Sequence, residues 1–487
     1  MFDLRPLSLV IGYMLLALGA LMTVPALVDF TVGNQDWRGF LLAAALTVFT
    51  GLALTLAGRV PAGQLLPTLN LRQAFLLTSL SWIMISLFSA LPFIFTTIHL
   101  SIPYAIFEAT SGFSTTGATV ITDLHTVAHG TLVWRGLLQW TGGVGLIITA
   151  ITVLPLLQIG GMQLFHMESS KYSEEKILPS MKQVTRTIGM IYLGLSLACA
   201  ISYWLGGMSA FDAIVHMMST VSTGGFGTSD ESFSKWNSVA LDFSAILFMF
   251  LGSLPVLLFW PALRGKPMAL FGDSQVRTFT ALTIAAVAIM TLFLWHNEIG
   301  ENWHSFRYAA FTSVSVITGS GFVNTDYGLL GPFASAFVIF VALIGGCSGS
   351  TSCGIKVFRL QILYLAVTNQ IKRVIYPNGV FTAHYNDRPL SDSTISSVTG
   401  YLFLYLLTLA GSGFLLVALG LDITSALSAA AATLANVGPG MGSILGPTGS
   451  YAGLSTPQIW VLTVTMMLGR LELLTVYVLF LRKFWQR

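Results

Sequence analysis

Charge is what this chain lacks most. Asp, Glu, Lys and Arg make up only 9% of its 487 residues and apolar side chains 54%, whereas a soluble globular domain carries roughly 25% charge. That balance excludes an ordinary water-soluble protein. The net charge of +3 is too small to attract nucleic acid, so no nucleic-acid partner is expected. Cysteine is also scarce. Cys199, Cys347 and Cys353 lie in apolar or glycine-rich surroundings, with the spacing of neither a disulfide framework nor a zinc site. No catalytic constellation such as a His/Glu metal motif is present, so neither an enzyme nor an organic cofactor is expected.

What remains is a series of apolar runs of about 20 residues, the length that crosses a ~30 Å hydrocarbon core. They predict an all-α polytopic protein of the lipid bilayer. The first run, 9–28, is too long for a signal peptide and lacks a small-residue cleavage site. It pairs with 39–58 as an N-terminal two-helix hairpin, closed by a loop with Arg59, Pro61, Gly63 and Pro67. From residue 72 a pattern repeats: a long apolar segment, a short semi-polar helix, a glycine loop and a second long segment. The chain divides as 1–71 for the hairpin and 72–182, 183–275, 276–394 and 395–487 for four repeats.

The repeat is carried by four polar stretches: Phe113-Ser114-Thr115-Thr116-Gly117, Val221-Ser222-Thr223-Gly224-Gly225, Val316-Ile317-Thr318-Gly319-Ser320 and Ala435-Asn436-Val437-Gly438. Alignment on Gly117, Gly224, Gly319 and Gly438 keeps Tyr104, Phe211 and Phe306 thirteen residues ahead, with Ser425 in the fourth place. Asp123, Asp230 and Asp326 follow their glycines by six, six and seven residues. The preceding helices, 102–114, 209–221, 304–316 and 423–435, reach only ~18 Å at 1.5 Å per residue. They enter the membrane without crossing it. Ser101 with Pro103, Ser209 with Asp212, and Asp422 are suitable starts.

Irregular backbone is tolerated in a bilayer only where protein buries it or it lines a wet path. Four loops converging on one axis can aim carbonyl oxygens at a dehydrated cation, and glycine allows the backbone angles this requires. Thr115, Thr116, Ser222, Thr223 and Thr318 can add hydroxyls or brace the loops. The short helices point their negative C-terminal ends at the same place. Few carboxylates lie near the loops, which disfavours a divalent site. Asp123, Asp230 and Asp326 either concentrate cations at the mouth or cap turns. One such loop alone is as readily a helix-packing glycine; four in register are not. His216, on the second short helix, reads as a packed residue.

Two further features lie deeper. The stretch Gly345-Gly346-Cys347-Ser348-Gly349-Ser350-Thr351-Ser352-Cys353-Gly354-Ile355-Lys356 interrupts the third repeat's last helix and reads as a flexible plug. Ile355 separates the final glycine from the lysine and no strand precedes it, so it is not a phosphate loop. Arg470 is an intramembrane charge and therefore a functional candidate. Glu472 lies two residues on and faces elsewhere, so the partner of Arg470 is expected among the 345–356 carbonyls or near the four loops. With ten spans, eighteen Lys and Arg fall on one side and Arg38, Arg135, Lys235 and Arg307 on the other. The positive-inside rule then places both termini in the cytoplasm and the glycine loops outside.

Glycine in each of four membrane-pore-membrane units, the Gly-Gly-x-x-Gly-Ser-Thr-x-x-Gly-Ile-Lys stretch and the Gly-Arg-x-Glu ending resemble the Trk/Ktr/HKT superfamily of potassium transporters. The length and the extra hairpin resemble its TrkH/TrkG branch. The resemblance implies four pseudo-symmetric units around a central pore in the bacterial inner membrane, a homodimer with one pore per subunit, and K⁺ as transported ion. It implies filter carbonyls at Thr115, Thr116, Ser222, Thr223, Ile317, Thr318, Asn436 and Val437. A gate formed by Gly345, Gly346, Gly349, Ser350, Thr351, Gly354 and Lys356 with Arg470 is also implied, as is a cytosolic nucleotide-binding ring of the TrkA type. Channel-like permeation competes with symport coupled to H⁺ or Na⁺, and with the ion-binding subunit of a potassium-pumping ATPase. Coupling needs a titratable group in the path, and the membrane segments offer few.

Overall fold

The computed structural model describes residues 3–59, 70–152, 181–299, 302–386, 388–442, 445–446 and 450–486. The expected loop around Pro61, Gly63 and Pro67 and most of the basic stretch 167–186 lie outside the described residues. The hairpin forms from Arg5–Leu21, which continues after Met22 as Thr23–Val32, and from Trp37–Ala57. It docks on the first repeat through Asp29, whose Oδ1 accepts the Gly130 amide at 2.6 Å. That carboxylate sits at the amide end of helix His129–Thr152, where the helix dipole favours negative charge.

Each repeat begins with a long apolar helix: Leu71–Ser89, Met181–Leu205, Ser274–His296 and Asp392–Ala418. Each turns into a short helix: Ile102–Phe113, Ala210–Val221, Asn302–Ile317 and Ile423–Leu434. Ser209 and Asp422 cap theirs by accepting the amides of Asp212 and Ser425. Ser101 occupies the cap position without that bond, and Pro103 follows in the first turn. Six described helices are long and apolar enough to cross a membrane, or eight if each of two bent pairs is one span.

The outer helices differ from the sequence reading, which expected one break and meets three. The third repeat's runs Pro332–Ile344, breaks at 345–356 and resumes as Val357–Ile375. Val239–Gly252 bends by 98° into Val256–Leu263, and Thr456–Arg470 by 110° into Leu473–Phe480. Proline accounts for the first bend, because Pro255 has no amide to donate and disfavours helix at Leu254. In the last, Glu472 adopts φ 63°. Among the described residues, the corresponding first-repeat helix, His129–Thr152, has no break.

Apolar packing is divided by repeat rather than gathered into one core. One cluster joins the hairpin to the first repeat around Phe40, Phe93 and Trp134. Others centre on the second, third and fourth repeats. Apolar side chains such as Leu197, Leu292, Phe403 and Phe414 face outward from the long helices, as a lipid-facing surface requires. Polar loops occupy the centre.

Candidate ion path

The short helices all end in the same turn. After the last helical residue, one residue is skipped and the next takes positive φ: Thr115 56°, Thr223 53°, Gly319 80° and Asn436 55°. Its amide donates back to the carbonyl three residues earlier, on Gly112, Thr220, Val316 and Thr433 respectively. The following amides, of Thr116, Gly224, Ser320 and Val437, donate to Ser111, Ser219, Ser315 and Ala432. Two residues beyond the first positive φ comes a second, always on glycine: Gly117, Gly225, Gly321 and Gly438, between 70° and 94°.

This corrects the sequence alignment. The geometric counterparts of Gly117 and Gly438 are Gly225 and Gly321, one and two residues beyond Gly224 and Gly319. Gly319 corresponds instead to Thr115, Thr223 and Asn436. Hydroxyl pairing agrees: Ser114 meets Thr116 at 2.6 Å and Thr318 meets Ser320 at 2.9 Å. Ile317 is the last residue of its helix, with its side chain in the apolar cluster. Thr318 and Ser222 each stand one residue before the first positive φ, as Ser114 does. The aromatic alignment of Tyr104, Phe211 and Phe306 shifts by the same steps; Tyr104 corresponds to Tyr308.

The four glycines close a ring. A Cβ on Gly117 would fall onto the Gly224 carbonyl oxygen, one on Gly225 onto that of Ser320, one on Gly321 onto that of Val437, and one on Gly438 onto that of Thr116. Each loop therefore lies against the next, and the last against the first. Alternating signs of φ turn successive carbonyls to one side of a strand, and glycine accepts the positive value without steric cost. All four glycines line a cavity of about 350 Å³, together with Asp123 and Asp230. Asp326 is outside that lining. The aspartates also serve local structure: Asp230 accepts the Leu124 amide and Asp326 the Gly328 amide.

Buried ionic and amide braces hold the ring, and the sequence reading missed them. Glu108 pairs with Arg135 at 2.8 Å and accepts the Val120 amide at 2.9 Å. Arg135 also donates to Gly227 O and Thr119 Oγ1. Asp242 pairs with Arg307 at 2.7 Å. The Asn436 side-chain Nδ2 donates to Thr116 Oγ1 at 2.8 Å and to Met466 O at 3.1 Å, joining the fourth loop to the first. Intramembrane charges were the available signal; which ones pair was not. His216 packs against Phe233, Trp236 and Phe322, as read.

The 345–356 segment packs against the broken second-repeat helix and the second loop. It is compact and hydrogen-bonded rather than a slack plug, because the broken second-repeat helix supplies carbonyls that a continuous helix would consume. Thr351 N donates to Gly252 O and Cys347 N to Ser253 O. Gly349 O accepts from Val256 N, while Ile355 N donates to Leu343 O. Thr351 Oγ1 contacts Thr223 Oγ1 at 3.3 Å and donates to Val221 O at 3.2 Å, so the segment touches a loop of the ring directly.

Arg470 lies beside it, as expected from the sequence. Its guanidinium donates to Thr351 O at 3.2 Å, Cys353 Sγ at 2.6 Å and Gly142 O at 3.2 Å. These contacts join the fourth repeat to the third and first. Glu472 pairs with Arg359 Nη2 at 2.5 Å and Lys356 Nζ at 3.9 Å, and so faces away from Arg470. Lys356, assigned to the gate, is thus also part of a buried ionic cluster.

Fold and site together define a multi-pass membrane protein with four pore-like loops around one axis. Residues 47–487 match the TrkH model, described as cation transport protein. The Trk system potassium uptake protein TrkI of Halomonas elongata is 39% identical over 99% of this chain and 97% of its own. The TrkH protein of Salmonella typhimurium is 33% identical over 99% of both. The crystal structure of the potassium transporter TrkH from Vibrio parahaemolyticus matches with a TM-score of 0.90 at 31% identity, covering 100% of both chains. The chain belongs to the TrkH family of cation transport proteins, which are transporters and not enzymes.

Proposed function

We propose that this protein takes up K⁺ by channel-like permeation through the ring of four loops, gated by the 345–356 segment and Arg470. The cyclic contact of Gly117, Gly225, Gly321 and Gly438 with the neighbouring carbonyls carries the reading. Dehydrated K⁺ would be held by carbonyls at Thr115, Thr116, Thr223, Gly224, Gly319, Ser320, Asn436 and Val437, the set in the corrected register. The test is K⁺ and Na⁺ flux into liposomes holding the purified protein, with and without a pH gradient, beside Gly117→Ser. Passive flux that favours K⁺ and loses that preference in the variant is expected. Flux that requires the proton gradient would instead mean symport.

Arg470 would oppose cations where the path leaves the ring. Unit charges ~4 Å apart interact by about 4 kcal/mol at an effective dielectric of 20. Arg470→Met should therefore raise basal K⁺ flux by about tenfold or more, the equivalent of at least ~1.4 kcal/mol off the barrier. Unchanged flux at equal protein incorporation would sink this role.

The same reading includes the bacterial inner membrane, cytoplasmic termini, a homodimer, and a cytosolic nucleotide-binding ring of the TrkA type. Two facts support the orientation. Arg135 and Arg307, half of the external cations, are neutralised in buried pairs. Arg5, Lys372, Arg373, Arg482 and Lys483 are exposed, as a basic docking face needs.

A further inference from the structure

We propose that Gln139 is a positioning residue for selectivity, its side-chain amide fixing the second loop's contribution to the ring. This inference rests on the four-loop filter reading. Gln139 belongs to helix His129–Thr152 of the first repeat and is fully buried. Its Nε2 donates to Gly224 O at 2.6 Å, and its Oε1 accepts the Phe226 amide at 3.1 Å. Only one orientation of the amide satisfies both bonds, since Gly224 O can only accept and Phe226 N can only donate.

A second observation singles out the same contact. The positions equivalent to Gly224 are Thr116, Ser320 and Val437, all with side chains. Gly224 lacks positive φ, so its backbone does not demand glycine. A Cβ there would instead stand 2.6 Å from Gln139 Oε1 and 2.7 Å from Nε2. The second loop has surrendered its own side chain, and an amide from the neighbouring repeat fills that place.

The consequence is an unequal ring. Gly224 O, the atom over Gly117, shares its electron density with an N–H donor. Selectivity among cations depends on the number and field strength of coordinating carbonyl dipoles. Holding one carbonyl in place and weakening its field disfavours the smaller, more strongly hydrated Na⁺.

The experiment compares Gln139→Met, of similar volume without hydrogen bonds, Gln139→Glu, which keeps only the acceptor, and the double variant Gln139→Ala/Gly224→Ser. Each is read by the K⁺/Na⁺ flux ratio in liposomes and by the difference between K⁺- and Na⁺-induced thermal stabilisation in detergent. The ratio should fall about threefold to tenfold in both single variants, the factor equivalent to one neutral hydrogen bond. It should stay low in the double variant, which refills the space but lacks the clamp. Recovery of the parental ratio in the double variant would reduce Gln139 to a space-filler and overturn the inference. If Gln139→Met does not fold, Gln139→Glu carries the test, and an unchanged ratio there overturns it equally. Gly117→Ser runs alongside. A lower ratio in Gly117→Ser with unchanged Gln139 variants rejects this inference alone, and no change in any variant rejects the filter reading itself.

Discussion

Gly321→Ala is expected to abolish selective K⁺ flux, while Gly319→Ala retains most of it. Both glycines have positive φ, 70° and 80°, so alanine costs roughly 1–2 kcal/mol of backbone strain at either. Their surroundings separate them. A Cβ on Gly319 would meet only Ser352 Oγ at 3.6 Å and Asn436 O at 3.7 Å, ordinary contacts, and Thr115, Thr223 and Asn436 already carry side chains at the equivalent place. A Cβ on Gly321 would land on the Val437 carbonyl. Overpacking there adds about 1–3 kcal/mol, and moving Val437 O relieves it at the expense of the ring. Gly319→Asn, which copies Asn436, should be milder still. Paired K⁺ and Na⁺ fluxes decide the matter; the opposite ranking of positions 319 and 321 would restore the alignment on Gly319.

Glu472→Gln should destabilise the fold far more than Lys356→Met, the other charge removal in the same buried cluster. Glu472 is 4% exposed and Arg359 0%, and the guanidinium also stacks over Tyr401 at 3.6 Å. Removing one partner of a buried pair strands the other charge, at a cost of about 3–5 kcal/mol. Lys356→Met should cost clearly less, because the Arg359–Glu472 bond survives and Lys356 is only loosely paired at 3.9 Å. Thermal unfolding in detergent orders the two variants. A larger loss for Lys356→Met would show that the lysine, not Arg359, is the main partner.

The long apolar helices and the short capped ones follow from local pattern, which is why Ala210–Val221 and Ile423–Leu434 fall within a residue of their expected limits. The glycine-rich interruption at 345–356 and the burial of Arg470 were legible for the same reason: each violates a strong local rule, that a membrane helix stays continuous and uncharged. Loop register was not legible. Glycines occur at 224, 225, 319 and 321, and composition cannot tell a glycine needed for positive φ from one cleared for another side chain. The positive φ of Gly225 and the packing of Gly224 against Gln139 separate the two, and both are tertiary facts.

By itself, the sequence determined a membrane protein of four repeats, each with a short helix ending in a polar glycine turn, because hydrophobic length and turn chemistry act over a few residues. Tertiary structure decided which atoms meet. Glu108 chose Arg135, Asp242 chose Arg307, Glu472 chose Arg359, and three outer helices broke where their freed carbonyls or ion pairs found partners. In a low-dielectric interior each of those groups must be satisfied by whichever partner the packing of distant segments brings within hydrogen-bond reach, and no local pattern encodes that choice.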